Sequence, residues 1–141
     1  MNKYRKLKER QLKEINEFPI IFAFNQKQLI EGMEKLGLKE NETEKLLKIG
    51  GNGFIRKSDR KALNELIERH EIELRSEIQN DLTGEGFIFD MFNYELANHE
   101  YCITLDVEET IQSIGLTLKE VRENENLRLG LKKAIKEQRY Y

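Results

Sequence analysis

His70 and His99 are the only histidines in the chain, and each falls on the apolar face of a helical pattern that also carries carboxylates. Apolar helix faces hold imidazole and carboxylate groups only where those groups pair with one another or are put to use. In residues 61–78, Leu63, Leu66, Ile67, Leu74 and Ile78 share one arc at the helical repeat, and His70 lies inside it with Glu77 beside it and Glu73 at its edge. In residues 87–101, Phe87, Ile88, Met91, Phe92, Tyr94 and Leu96 cover most of the circumference, and Glu95, Asn98 and His99 fall among them. Folding the two stretches back across the turn residues 80–85 sets His70 opposite Glu95, with His99 one turn away on the same face. The expected result is a buried polar cluster of His70, Glu95, Asn98 and His99.

Three chemistries suit such a cluster. The first is a mutually satisfied hydrogen-bond network that fixes helix register at some cost in stability. The second is a metal site, since His70, Glu95 and His99 on facing helices are acceptable ligands for zinc, iron or manganese. The third is acid–base catalysis by a His/Glu pair whose proton affinities burial tunes. HExxH is absent, because neither His70-Glu71 nor His99-Glu100 is followed by the second histidine. The structural network is the expectation, with no cofactor; a small metal-dependent or His/Glu hydrolase is the alternative.

The elements that would position these residues are marked by capping signals. Residues 3–16 read as a basic helix stopped by Pro19, and residues 18–24 as an apolar segment that plugs the core. Asn25 with Gln28 opens a helix that Gly37 closes, with Gly32 inside it marking close packing; Asn41 with Glu44 opens a short helix before Gly50. The run Gly50-Gly-Asn-Gly-Phe-Ile-Arg-Lys57 reads as a tight turn or small hairpin, without the spacing of a P-loop or a dinucleotide fold. A helix from about residue 59 to 79 and another from 86 to 101 form the core hairpin. Asp106 with Glu109, Gly115, Thr117 with Glu120, and a break near residues 124–126 divide the C-terminal helices over 106–139. Gly51-Asn-Gly-Phe-Ile55 is echoed by Gly84-Glu-Gly-Phe-Ile88, each expected to send an aromatic into the core after a turn. The fold predicted is one compact, mainly α domain of about six helices over residues 1–141, with a small glycine-rich hairpin or loop.

The net charge of −2 conceals an uneven distribution. Lys3, Arg5, Lys6, Lys8, Arg10 and Lys13 outweigh Glu9 at one end, and Arg128, Lys132, Lys133, Lys136 and Arg139 outweigh Glu137 at the other. Lys132, Lys133 and Lys136 are the candidate phosphate contacts, although the balance of the whole chain lacks the strongly basic signature of a nucleic-acid binder. The lone Cys102 excludes an intrachain disulfide and reads as a small hydrophobe in a reducing compartment. No apolar run is long enough to span a bilayer, so the expectation is a soluble, cytosolic chain without a membrane partner.

Several runs carry a resemblance. They are Phe22-Ala-Phe-Asn25 through Leu36-Gly-Leu38, Gly50 through Asp59, Arg69-His-Glu71, and Thr83-Gly-Glu-Gly-Phe-Ile88 through Tyr94-Glu-Leu-Ala-Asn-His-Glu-Tyr101. Together they resemble a family of small proteins of unknown function encoded by phages and mobile elements of Firmicutes, over nearly the whole chain. The resemblance brings no catalytic residue with it. It implies a phage accessory protein in the host cytoplasm that binds and disables a host protein or protein–nucleic acid complex, an anti-CRISPR or other anti-defence inhibitor in particular. A phage regulator that contacts nucleic acid directly through the basic ends is a further alternative.

Overall fold

The computed structural model describes residues 2–101 and 105–139, so Cys102 lies outside the described residues. Among them are seven α-helices and three short strands, the mainly helical architecture that the patterning implies. The chain gathers into two compact units, Met1–Arg10 with Ile72–Tyr141 and Gln11–Glu71. Each unit buries its own apolar residues. The helices are α1 (Lys3–Glu17), α2 (Gln26–Lys35), α3 (Arg60–Asn80), α4 (Phe87–Asn98), α5 (Glu108–Ile114), α6 (Leu118–Glu123) and α7 (Glu125–Arg139). None is long and apolar enough to cross a membrane.

In the unit Gln11–Glu71, strands β1 (Ile21–Phe22), β2 (Leu46–Lys48) and β3 (Gly53–Arg56) form an antiparallel sheet in the order β1-β3-β2. Asn25 caps α2, accepting the Gln28 N–H at 2.9 Å, while the Gln28 side chain accepts the Phe24 N–H at 2.7 Å. Gly37 at φ +76° ends the helix, and the Leu38 N–H returns 2.8 Å to the Met33 carbonyl. Gly32 packs close against Ile21, since a Cβ there would stand 2.4 Å from Ile21 Cδ1 and 3.0 Å from its Cβ. The expected plug over residues 18–24 is only half realised. Extended backbone alternates its side chains, so Ile21 and Ala23 are buried while Phe22 and Phe24 are 62% and 75% exposed.

The helix expected after Asn41 is a single 3-10 turn, Thr43–Lys45, after which Leu46–Lys48 pairs with β3. The turn between the strands explains the difference. Gly51 and Asn52 take φ of +64° and +62°, and the Gly53 N–H donates to the Gly50 carbonyl at 3.2 Å, the two-residue turn whose twist matches paired strands. The hairpin pairing thus overrides a weak helix signal. In the echoed motif Phe87 is buried, whereas after this turn Ile55 is buried and Phe54 is half-buried.

In the other unit α4 is the central helix. Ile88, Met91, Phe92 and Leu96 are fully enclosed, and Phe87 joins them. Its most extensive partner is α7 rather than α3, which corrects the expected core hairpin. Small residues on α7 explain this. Gly130 and Ala134 are buried one turn apart, and a Cβ on Gly130 would stand 2.5 Å from Ile88 Cγ2 and 2.6 Å from the Gly84 carbonyl oxygen. From α3, Ile78 reaches the core and Leu74 packs against it, whereas Ile67, in the other unit, is exposed despite its place in the apolar arc. Asp81 organises the loop before α4, because the N-cap Gly86 offers no side chain. Its two oxygens accept the N–H groups of Thr83, Gly84, Gly86 and Ile88 at 2.9–3.2 Å. Gly115 at φ +87°, Thr117 accepting the Glu120 N–H, and Asn124 accepting the Leu127 N–H mark the C-terminal helix boundaries at the expected places.

Candidate functional site

Glu95 lies in the buried stripe of α4, one turn after Met91, and is 2% exposed. A carboxylate placed there must be compensated. The compensation comes from α1. Lys8 Nζ donates to Glu95 Oε1 at 2.6 Å, and the same ammonium lies 5.2 Å from the Tyr94 ring centroid and 6.0 Å from that of Tyr4. Burial, reinforced by the negative charge of Glu95 and by a hydrogen bond to it, pushes the Tyr4 phenol well above the usual tyrosine range. Tyr4 therefore stays a donor. Ser113 Oγ lies 3.4 Å from Glu95 Oε2, but its shorter contact is to the Thr110 carbonyl at 2.7 Å.

His99 ends α4 and stands between two carboxylates, with Nε2 3.8 Å from Glu95 Oε2 and Nδ1 3.4 Å from Glu109 Oε1. Glu95 and His99 therefore meet, as their spacing implies. Asn98 is exposed at the end of the same helix. His70 belongs to the other unit, where Nε2 lies 3.4 Å from Glu14 Oε2, Arg69 binds the same carboxylate, and the Gln11 side chain donates to the His70 carbonyl at 3.1 Å. The expected four-residue cluster is thus divided: Glu95 pairs with Lys8, and His70 with Glu14. Both of those partners are on α1, which reads in sequence as a solvated basic helix. The signal that would have found them is the spacing Tyr4, Lys8, Gln11 and Glu14 along that helix.

The chemistry open to this arrangement is narrow. No group of three His, Cys, Asp or Glu side chains among the described residues converges on a point that could hold a metal ion. Glu95 Oε1 is occupied by an ammonium, and a side chain 2% exposed gives a substrate no approach. The arrangement anchors α1 to α4.

The basic ends differ from each other. Near the N-terminus Lys8 binds Glu95, Arg10 binds Glu73, and Arg5 lies 3.4 Å from Glu9. At the C-terminal end Lys132, Lys133, Lys136 and Arg139 are exposed on α7 and, with Leu129 and Ile135, line a groove of about 470 Å³. Lys133 Nζ rests 4.9 Å from the Phe89 ring centroid.

The model of a family of unknown function, DUF7659, matches residues 3–137. The chain belongs to the DUF7659 family. Neither a curated protein nor a solved structure matches it. In this DUF7659 chain the matched span takes in the Glu95 network and three of the four cations of the α7 groove, Lys132, Lys133 and Lys136.

Proposed function

We propose that this DUF7659 chain acts by binding: it is a non-enzymatic accessory protein of a phage or mobile element that disables a host component in the host cytoplasm, with anti-CRISPR or other anti-defence inhibition as the specific form. The observation that carries the binding reading is the enclosure of Glu95. The carboxylate best placed for acid–base or metal chemistry is 2% exposed and ion-paired to Lys8, which suits anchorage of one helix to another. The phage setting is supported by the resemblance of the runs around Gly50–Asp59 and Thr83–Tyr101.

An inhibitor that works by occupancy is recognised by its stoichiometry. Cells with an active defence system that express the chain should become permissive to a phage the system otherwise blocks. The purified chain should then inhibit the isolated defence effector with saturation near one copy per effector site. Glu95→Gln protein that remains folded should inhibit equally well. Failure to restore phage growth with any defence system, or inactivation of many effector copies by each copy of the chain, would sink the reading.

A further inference from the structure

The outer face of α7 carries a pattern that the fold itself does not use. Leu127, Gly130, Ala134 and Gln138 are buried on its inner face. Leu129, Lys132, Lys133, Lys136 and Arg139 recur on the other side at spacings of three and four residues, so they form one stripe. Like charges at these spacings repel, and among the described residues Lys132, Lys136 and Arg139 make no ion pair that would relieve the repulsion. Glu85, the one carboxylate among the described residues of the groove wall, makes none with them either. Leu129, 45% exposed, and Ile135 supply an apolar floor between the cations. Lys133 is held in place over Phe89.

We infer that this groove is the docking site for an acidic, amphipathic segment of the partner protein, which lays apolar side chains over Leu129 and Ile135 and places carboxylates against Lys132, Lys136 and Arg139. The inference rests on the binding reading above and names the chemistry of the partner. Charge complementarity sets the sign of the occupant, and the apolar floor decides its class. A nucleic-acid strand would meet the lysines equally well, but single-stranded recognition stacks bases on aromatic side chains, and among the described residues that line the groove there are none. A helix with apolar residues at three- and four-residue spacing and acidic flanks matches both the floor and the rim. The lysines would also steer such a segment, making its association fast and salt-dependent.

The test is a selection from a random 12-residue peptide library on the whole chain, followed by fluorescence anisotropy with the most enriched peptide. Enriched sequences should be net acidic with Leu, Ile or Phe at helical spacing. K132Q/K136Q/R139Q should weaken the selected peptide at least tenfold, and L129S should weaken it several-fold. All four positions are exposed, and circular dichroism checks that the variants stay folded. A charge swap gives an independent readout: K132E/K136E/R139E should bind the peptide with its acidic residues changed to lysine and reject the original. Enrichment of neutral or basic sequences, affinity unmoved by the triple substitution, or failure of the charge swap would overturn the proposal. So would tighter binding of a twelve-nucleotide oligothymidine that depends on the lysines and not on Leu129. The selection needs no host target, so its failure leaves the stoichiometric inhibition assay standing, and failure of that assay leaves the selection standing.

Discussion

Lys8 and Glu95, far apart in the chain, meet at 2.6 Å, and the carboxylate of the pair is 2% exposed whereas the lysine side chain is 41% exposed. The two ends of this bond are therefore unequal. Removing the lysine leaves a buried charge short of its main partner, while neutralising the carboxylate leaves an ammonium that can turn to water. Lys8→Met should cost about 2–3 kcal/mol, Glu95→Gln about 1–2 kcal/mol, and the double substitution less than their sum. Urea unfolding of the three variants measures all of these.

Asp81 gives acid sensitivity a named source. Burial raises its pKa, but the four backbone N–H donors from Ile88, Thr83, Gly84 and Gly86 outweigh burial and hold the carboxyl below its usual range. A depressed folded pKa contributes stability above the unfolded value, near pH 4, and that stability is lost as pH falls through the folded value. Asp90 has the opposite sign, since burial and the Asp81 charge push it up and protonation relieves it. Asp81→Asn should therefore cost about 1–2 kcal/mol at neutral pH, as loss of a helix cap does. The gap from wild type should close below about pH 4. Denaturant unfolding at pH 7 and pH 3 reads the difference directly.

Phe92 is enclosed on every side of α4. Phe92→Ala should cost about 3–5 kcal/mol, much of the stability of a domain this size. Phe89→Ala, at a half-buried position, should cost distinctly less, and thermal denaturation separates the two.

Gly130→Ala reverses the usual helix rule. Alanine is the better helix former by about 1 kcal/mol, yet its methyl would fall 2.6 Å from the Gly84 carbonyl oxygen as well as against Ile88. The backbone contact cannot yield as a flexible side chain would. A net loss of about 1–3 kcal/mol is expected, measured by the shift in denaturation midpoint.

What was legible in the sequence is what neighbouring residues decide. Asn25, Gly37, Gly115, Thr117 and Asn124 stop or start helices through bonds to residues two to five positions away, so a local reading finds them. The heavily apolar α4 announced its own burial. Pairing between distant elements was not legible in the same way. Counting from the turn sets His70 against Glu95, whereas each takes its partner from α1, whose run of lysines and arginines masks an inward-facing stripe. Leu46–Lys48 carried a plausible helix cap upstream, and only the geometry of Gly51 and Asn52 turned it into a strand. Phe22 and Phe24 have the type of core residues, but the extended backbone turns Ile21 and Ala23 inward instead.

The turn at Gly51–Asn52 also bears on the order of events during folding. It joins Lys48 to Phe54 across a handful of residues, whereas β1 must bring Ile21 to that same Phe54 from much farther along the chain. Short loops close in well under a microsecond and hairpins in microseconds, so β2 and β3 are poised to pair before β1 has found its edge. Gly51→Val, strained at φ +64°, should then slow refolding in stopped-flow experiments while leaving the unfolding rate nearly unchanged. On that timescale the hairpin is the template, and the strand that carries the outward Phe22 is the last of the three to arrive.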